Sequence, residues 1–225
     1  MLLRLTVQLA LLLALLALLL FWPAGTFDWP GAWAFLAGMA IASMAVSLWL
    51  LRHDPALLRE RLKSPFQKGQ VSGDRIFMML IAFGWFGWVV LMALDARRWR
   101  LSHMPVWLNG AGAMLFAFGF YIVWLTFRAN TFAALVVKIQ KARGQSIVTT
   151  GPYAVVRHPM YAGASLYMIG MALLLGSGIG LAVLPLLIIA LGIRIGIEER
   201  MLRGEFPDYA GYAARVRYRL VPGVW

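Results

Sequence analysis

Five long segments of the sequence contain no charged residue and are rich in apolar side chains. They are residues 7–22, 31–51, 76–94, 106–127 and 160–193. A helix needs about 20 apolar residues to cross the hydrocarbon core of a bilayer. Segments of this length and polarity are typical of membrane-spanning helices. The sequence therefore predicts an all-α polytopic membrane protein.

The last of these segments is too long for a single crossing. As one helix, residues 160–193 would extend about 51 Å, whereas one crossing needs about 30 Å and two need about 60 Å. Gly176, Ser177, Gly178 and Gly180 lie near its middle, and this composition is typical of a tight turn. We therefore predict a helical hairpin whose second arm continues towards Glu199, and about five to six transmembrane helices in all.

The composition excludes several classes of protein. Apolar residues make up 62% of the chain and charged residues 13%, against about 25% charged residues in soluble domains. A disordered chain or an ordinary soluble enzyme is therefore excluded. The chain has no cysteine, and its three histidines are far apart in sequence, so we expect neither a disulfide framework nor a metal site.

The distribution of Lys and Arg indicates an orientation. With six crossings and a cytoplasmic N-terminus, 18 of the 21 basic residues lie in cytoplasmic segments, and only Arg97, Arg98 and Arg100 lie outside. Cytoplasmic loops of membrane proteins are enriched in Lys and Arg, and this explains the net charge of +12 better than nucleic-acid binding does. Residues 1–22 could also be a signal peptide, but their apolar core is longer than is typical of one.

A polar stretch before the hairpin contains the first group of candidate site residues. Gly151-Pro152 is typical of a turn, and Pro159 suits the first turn of a helix. Arg157, His158 and Tyr161 would then cluster at a helix N-terminus, where free N–H groups can bind a polar or anionic ligand. The alternative is that Arg157 and Tyr161 only anchor the helix at the membrane interface.

The second group lies at the end of the hairpin. Arg194 and Glu198 are four residues apart and share a helix face, and Glu199 lies one step round. Ionisable groups at membrane depth are costly and usually functional. Two neighbouring carboxylates suit a cationic ligand such as an ammonium or a sulfonium. The alternative is an interfacial helix end with ordinary ion pairs.

Taken together, these motifs resemble those of the isoprenylcysteine carboxyl methyltransferases and the related phospholipid methyltransferases. The family pattern is Thr-x-Gly-x-Tyr, then Arg-His-Pro-x-Tyr-x-Gly, a hairpin, Arg-x-x-x-Glu-Glu and a Phe…Tyr…Tyr tail before a proline. This chain matches it over about residues 128–222, at Thr149, Gly151, Tyr153, Arg157 to Tyr161, Gly163, Arg194, Glu198, Glu199, Phe206, Tyr209, Tyr212 and Pro222.

The resemblance implies S-adenosyl-L-methionine as methyl donor, and the count of basic residues predicts an active site that faces the cytoplasm. The charge-free segments predict transmembrane helices over residues 1–127, and the resemblance implies a catalytic region over 128–225. Arg194 would hold the acceptor, with Glu199 in support. Relatives often carry His at the position of Gln145, whose amide can also hydrogen-bond an adenine edge. The implied cofactor contacts are Gln145, Ser146, Ile147, Val148, Tyr153, His158, Pro159, Met160, Tyr161, Gly163, Glu198 and either Gln140 or Lys138.

Arg194 favours a carboxylate on a lipophilic or lipidated acceptor, because an arginine attracts an anion and repels a protonated amine. Three alternatives stay open. The first is N-methylation of a phospholipid amine. The second is an NADPH-dependent sterol-type reductase, since such enzymes share the Arg-His-Pro-x-Tyr segment, although they usually have an acidic residue where this chain has Ala164. The third is a non-enzymatic membrane scaffold. Besides the acceptor, the expected partner is membrane lipid, and no nucleic acid is expected.

Overall fold

The computed structural model describes residues 1–67, 70 and 72–225. Helix makes up 74% of it, and the described residues contain no strand. Lys68, one of the basic residues counted above, lies outside the described residues. The helices are α1 (Leu2–Ala24), α2 (Pro30–His53), α3 (Pro55–Arg61), α4 (Ser72–Ala93), α5 (Val106–Ala129), α6 (Pro159–Leu175), α7 (Gly178–Glu205) and α8 (Tyr209–Arg215).

Five helices are long and apolar enough to cross a membrane. They are α1, α2, α5, α7 and the continuous helix Gly73–Trp99, in which α4 runs on into a π-helical turn (Leu94–Trp99). α6 is also apolar, but its 17 residues extend only about 26 Å at 1.5 Å per residue. Phe83, Leu186 and other large apolar side chains stay exposed on the outer faces, as lipid contact requires. The predicted all-α multi-pass membrane architecture is confirmed.

The predicted hairpin is formed by α6 and α7. Gly176 ends α6 in the left-handed conformation at φ 75°, and the Ser177 side chain accepts a hydrogen bond from the Gly180 N–H at the start of α7. Asp95, in the π-helical turn, accepts hydrogen bonds from the Ser177 hydroxyl at 2.5 Å and the Ile179 N–H at 3.1 Å. The turn of the hairpin is therefore fixed to the end of the Gly73–Trp99 helix.

α5 and α6 pack together through glycines. A Cβ atom on Gly119 of α5 would lie 2.6 Å from the Gly163 carbonyl oxygen of α6, and one on Gly170 would lie 2.3 Å from the Phe116 nitrogen. Small residues let membrane helices approach this closely, so that the two backbones are in direct contact. The N-terminal end of α6, which begins at Pro159, is thereby held in place against α5.

The chain after α8 returns to the beginning of α6. The backbone N–H groups of Arg157 and His158 donate to the carbonyl oxygens of Tyr218 and Arg219, both at 2.9 Å, and Leu220 is buried. These bonds hold the returning chain against the beginning of α6. We call this end of the bundle the polar end. It comprises the beginning of α6 with Arg157 and His158, the last turns of α7, and residues 218–219.

Candidate functional site

A cleft opens at the polar end of the bundle. The space between its walls, counted out to its open mouth, is about 820 Å³. Its walls come from the segments 130–138 and 145–148, from Tyr153, from the beginning of α6, and from one side of α7 and α8. Residues that are far apart in sequence therefore face a common space.

Most of the residues singled out in the sequence line this cleft. They are Gln145, Ser146, Ile147, Val148, Tyr153, His158, Met160, Tyr161, Arg194 and Glu198. Of the two residues left open for the upstream contact, Lys138 lines the cleft. The Gln140 side chain instead donates to the Phe132 carbonyl oxygen at 2.8 Å and accepts from Arg143 at 2.6 Å.

Three further candidates also lie outside the lining of the cleft. Pro159 faces a separate apolar groove between α5, α6 and the chain terminus. Gly163 packs against Gly119 of α5. Glu199 lies behind the cleft and is almost fully buried. Roles of these residues in catalysis or cofactor binding, like those of Gln140, stay predictions.

Glu198 is the carboxylate that faces the cleft. The Tyr161 hydroxyl donates to its Oε2 at 2.8 Å, and the His158 Nδ1 lies 3.8 Å from the same oxygen. Its side chain is 28% exposed, and no Lys or Arg of the described residues forms an ion pair with it. A carboxylate held by a phenol but left without a cationic partner is suited to bind a cation from solution.

Glu199 has the opposite surroundings. Its Oε1 accepts from the Arg157 Nε at 2.7 Å and lies 3.3 Å from the His158 Nε2, and its Oε2 accepts from Arg219 at 3.2 Å. The Arg157 guanidinium also donates to the carbonyl oxygens of Val216 and Arg217, both at 2.8 Å. Glu199 therefore joins α7 to α6 and to the returning chain.

Arg194 lines the cleft one helical turn before Glu198. Its Nε donates to the Asp74 Oδ1 at 2.9 Å, and its Nη2 donates to the Leu135 carbonyl oxygen at 2.6 Å. The guanidinium lies 5.4 Å from the centre of the Phe77 ring and 5.6 Å from that of Tyr161. The sequence reasoning missed Asp74. The sequence signal that could have identified it is its position, two residues before the charge-free segment 76–94.

Two tyrosines of α8 complete the wall. Burial raises the pKa of Tyr212 to about 12, and its hydroxyl donates to the Tyr153 carbonyl oxygen at 2.8 Å. Tyr209 is 2% exposed, and its buried hydroxyl has no hydrogen-bond partner among the described residues. Burial also raises the pKa of Tyr209, so its hydroxyl stays protonated. A buried hydroxyl without a partner is costly, so this oxygen could bond to a polar ligand atom that reaches it.

The same wall holds Lys138, which forms an ion pair with Glu60 of α3. Burial alone would raise the pKa of Glu60, but hydrogen bonds and charge from Lys138 and Lys63 outweigh it and keep the pKa below its ordinary value. Arg61, on the same helix, donates to the Ala133 carbonyl oxygen at 2.9 Å. Burial, together with the charge of Arg194, lowers the pKa of Arg61 to about 10.

These groups fit the parts of S-adenosylmethionine. Glu198, which forms no ion pair with a Lys or Arg in the described part of the chain, suits its ammonium group. The aromatic ring of Tyr153, which lines the cleft, suits its sulfonium, because cations bind to ring faces. The orphaned Tyr209 hydroxyl suits one of its several polar atoms. The set contains both the charge and the hydrogen-bonding groups that this cofactor requires.

Residues 108–208 match the model of the phospholipid methyltransferase family. This match confirms the resemblance drawn from the sequence motifs, and it indicates a membrane methyltransferase. It extends from α5 through α7 and so includes Arg194, Glu198 and the segment from Arg157 to Tyr161. Asp74 and Tyr209 lie outside the matched residues. The reductase and scaffold alternatives receive no comparable support.

One named relative is similar to this chain over a shorter segment. Over 81 residues, 34% of this chain, the sequence is 35% identical to the cobalt-zinc-cadmium resistance protein CzcN of Cupriavidus metallidurans. The aligned segment corresponds to 36% of that protein, so the chain spans about a third of the relative's length.

Proposed function

We propose, from the family match over residues 108–208, that the protein is an integral-membrane, S-adenosylmethionine-dependent methyltransferase that methylates the carboxylate of a lipophilic, isoprenylcysteine-like acceptor. One observation carries this proposal. Arg194 and Glu198 lie one turn apart on α7 and line the same cleft, so a guanidinium and a carboxylate that no Lys or Arg of the described residues pairs with face one space. The first suits an anionic acceptor and the second a cationic donor.

The residues of the cleft divide into a cofactor part and an acceptor part. Glu198, the segment from Gln145 to Val148, Tyr153 and Tyr209 would hold S-adenosylmethionine. When bound, this cofactor supplies a methyl group that is already activated on sulfur. Arg194 would hold the acceptor carboxylate. The rings of Phe77 and Tyr161 lie on the guanidinium and limit the access of water to it.

For methyl transfer to a carboxylate, the main task of the protein is to place the acceptor next to the methyl donor. A carboxylate is nucleophilic at neutral pH, so no general base is required. The acceptor oxygen must be held about 3–3.5 Å from the methyl carbon and in line with the sulfur. An Arg–carboxylate contact supplies direction as well as charge. Glu199, whose oxygens are taken by Arg157, His158 and Arg219, would support this geometry from behind the cleft.

N-methylation of a phospholipid amine is the second candidate, and the description of the matching family favours it. An amine acceptor must first lose a proton, and the Arg194 guanidinium beside it repels its protonated form. A carboxylate acceptor meets neither obstacle. The metal resistance in the relative's name is not carried over, because the alignment covers 34% of this chain.

The proposal includes a polar end that faces the cytoplasm, where S-adenosylmethionine is available. Its support is the count of basic residues, since 18 of 21 fall on that side. The acceptor would arrive from the membrane, because the cleft opens at the end of an apolar bundle whose outer faces suit lipid. The proposed partners in the membrane are therefore the lipophilic acceptor and the surrounding lipid.

The test is methyl transfer by the detergent-purified protein. Radiolabelled S-adenosylmethionine is supplied with N-acetyl-S-farnesylcysteine, with its uncharged carboxamide, or with phosphatidylethanolamine in mixed micelles. We expect label on the acid and none on the carboxamide. Transfer to phosphatidylethanolamine alone would overturn the carboxylate assignment in favour of the amine. Transfer to none of the three would overturn the acceptor class.

A further inference from the structure

Asp74 is a fully buried carboxylate in the first turn of α4. Its Oδ1 accepts from the Arg194 Nε at 2.9 Å. Its Oδ2 accepts from the Gln70 side chain and from the Val137 N–H, both at 2.9 Å. A buried carboxylate is costly unless it is paired and hydrogen-bonded. Both oxygens of Asp74 meet this requirement, and the carboxylate is therefore fixed in direction.

Asp74 and Arg194 hold the same short piece of the cleft wall. Arg194 donates to the carbonyl oxygen of Leu135, and Asp74 accepts from the N–H of Val137, two residues later. The neighbouring residues Val136, Val137 and Lys138 line the cleft. The guanidinium and the wall beside it thus form one hydrogen-bonded unit that is anchored on α4.

This unit occupies only part of the guanidinium. Arginine has five N–H donors in a rigid plane. In Arg194 the Nε donor and one Nη2 donor are used. Two donors on Nη1 and one on Nη2 have no partner among the described residues. The Nη1 and Nη2 hydrogens at the end of the side chain form the fork that matches a carboxylate bidentately.

We infer that Asp74 is a positioning residue for the acceptor: it fixes Arg194 by one edge, so that the end-on fork of the guanidinium is presented to the acceptor's carboxylate. The inference rests on the proposed function, since it concerns the same site. A free arginine side chain has many rotamers, and in-line transfer tolerates little displacement. Asp74 lies outside the family match, so this support comes from the part of the chain before it.

An isosteric substitution separates this role from general stability. In Asp74→Asn, the amide oxygen can replace Oδ2 and keep the bonds from Gln70 and Val137. The amide NH₂ then faces the Arg194 Nε–H, and two donors cannot bond to each other. The variant thus releases the guanidinium while the cleft wall stays in place.

The experiment measures kcat and KM for N-acetyl-S-farnesylcysteine, together with the Kd of S-adenosylhomocysteine. We expect Asp74→Asn to lower kcat by about 10²-fold, as for a reactant misplaced by about 1 Å. The Kd of S-adenosylhomocysteine should stay at its wild-type value. In an Arg194→Gln background, Asp74→Asn should lower kcat no further, because the two residues act as one unit.

Asp95→Asn is the matched control. Asp95 is also fully buried, lies on the same continuous helix at its other end, and is bonded to Ser102 and Ser177 far from the cleft. This variant should melt at a lower temperature but keep the wild-type kcat below its melting point. Equal losses of kcat in Asp74→Asn and Asp95→Asn would overturn the inference, as would loss of S-adenosylhomocysteine binding together with kcat.

A second variant covers the case in which Asp74→Asn does not fold. Asp74→Glu keeps the charge but displaces the guanidinium by one methylene. It should lower kcat while S-adenosylhomocysteine binding is unchanged, and a wild-type kcat would overturn the inference. A wild-type protein that binds S-adenosylhomocysteine but methylates no acid would refute the proposed acceptor. An active wild-type protein with fully active Asp74 variants would refute the positioning role alone.

Discussion

The two neighbouring glutamates at the end of α7 show how one residue step changes chemical role. Glu198 faces the cleft and bonds to the Tyr161 hydroxyl, whereas Glu199 faces inwards and is paired with Arg157, His158 and Arg219. Successive residues of a helix point in directions about 100° apart, so Glu198 and Glu199 face different surroundings. Their chemistry therefore differs although their sequence context is the same.

This contrast predicts different effects of the same substitution. Glu199→Gln leaves the Arg157 guanidinium buried and without its counter-charge, and breaking a buried pair costs about 3–5 kcal/mol. We expect a large drop in melting temperature. Glu198→Gln should leave the melting temperature near the wild-type value. Thermal unfolding of both variants in the same detergent measures this, and an equal drop in both would contradict the assignment.

Tyr209 provides a second prediction for a single residue. Its buried hydroxyl has no partner among the described residues, so Tyr209→Phe removes a polar atom that the ligand-free fold does not use. The variant should be as stable as the wild-type protein or more so. Its affinity for S-adenosylhomocysteine should fall about tenfold, the value of one hydrogen bond of about 1.4 kcal/mol.

Calorimetric titration measures that affinity. Tyr218→Phe is the control, because Tyr218 is an exposed tyrosine of the same terminal region that does not line the cleft. Unchanged affinity in Tyr209→Phe would show that this hydroxyl does not contact the cofactor.

Among the elements, the hairpin was predictable and the short helices were not. The length of the charge-free segment 160–193 and the glycines near its middle predicted the two helices α6 and α7. α3 and α8 have seven residues each, and isolated helices so short are unstable in water. Their stability comes from tertiary contacts, such as the burial of Leu57 and Leu58 in α3 and of Tyr209 and Tyr212 in α8. Local sequence carries no signal for such contacts.

The close packing of α5 on α6 predicts that a Gly→Ala substitution there destabilises the protein, whereas within most helices it stabilises. Gly→Ala within a helix normally stabilises by about 0.5–1 kcal/mol. At Gly119 the added Cβ would lie 2.5 Å from the Tyr167 nitrogen, so the helices must separate. We expect Gly119→Ala to lower the melting temperature.

The Cβ atom added by Gly110→Ala, on the same helix, would lie more than 4 Å from the neighbouring side chains and helices that the structure describes, so this variant should not destabilise the protein. Thermal unfolding of the pair provides the comparison. If Gly119→Ala were as stable as Gly110→Ala, α5 and α6 would not be in close contact at Gly119.

At the scale of the whole molecule, the cleft depends on contacts that no local pattern reveals. The motifs from Arg157 to Glu199 contribute six of its lining residues, because they combine polar residues with a helix start and a helix end. The pairing of Asp74 with Arg194 joins residues 120 positions apart. The return of the chain to Arg157 depends likewise on backbone bonds from residues 218 and 219. Such distant pairings require the three-dimensional structure.

The orientation of the molecule can be tested with single cysteines, because the chain contains none. Lys141→Cys places a thiol at the polar end, and Leu101→Cys places one at an exposed site at the other end. A membrane-impermeant maleimide should label Lys141→Cys in inverted vesicles and Leu101→Cys in right-side-out vesicles. The reverse pattern would place the polar end outside the cytoplasm and contradict the orientation.

The central claim is that the cleft binds the methyl donor, and calorimetric titration of the purified protein tests it most directly. S-adenosylhomocysteine and NADPH are titrated separately into wild-type protein and into Glu198→Gln, with Glu205→Gln as a control on the same helix. Our account predicts that S-adenosylhomocysteine binds to wild-type protein and to Glu205→Gln, that Glu198→Gln binds it at least about tenfold more weakly, and that NADPH does not bind. Binding of NADPH without S-adenosylhomocysteine, or of neither ligand to folded protein, would contradict it.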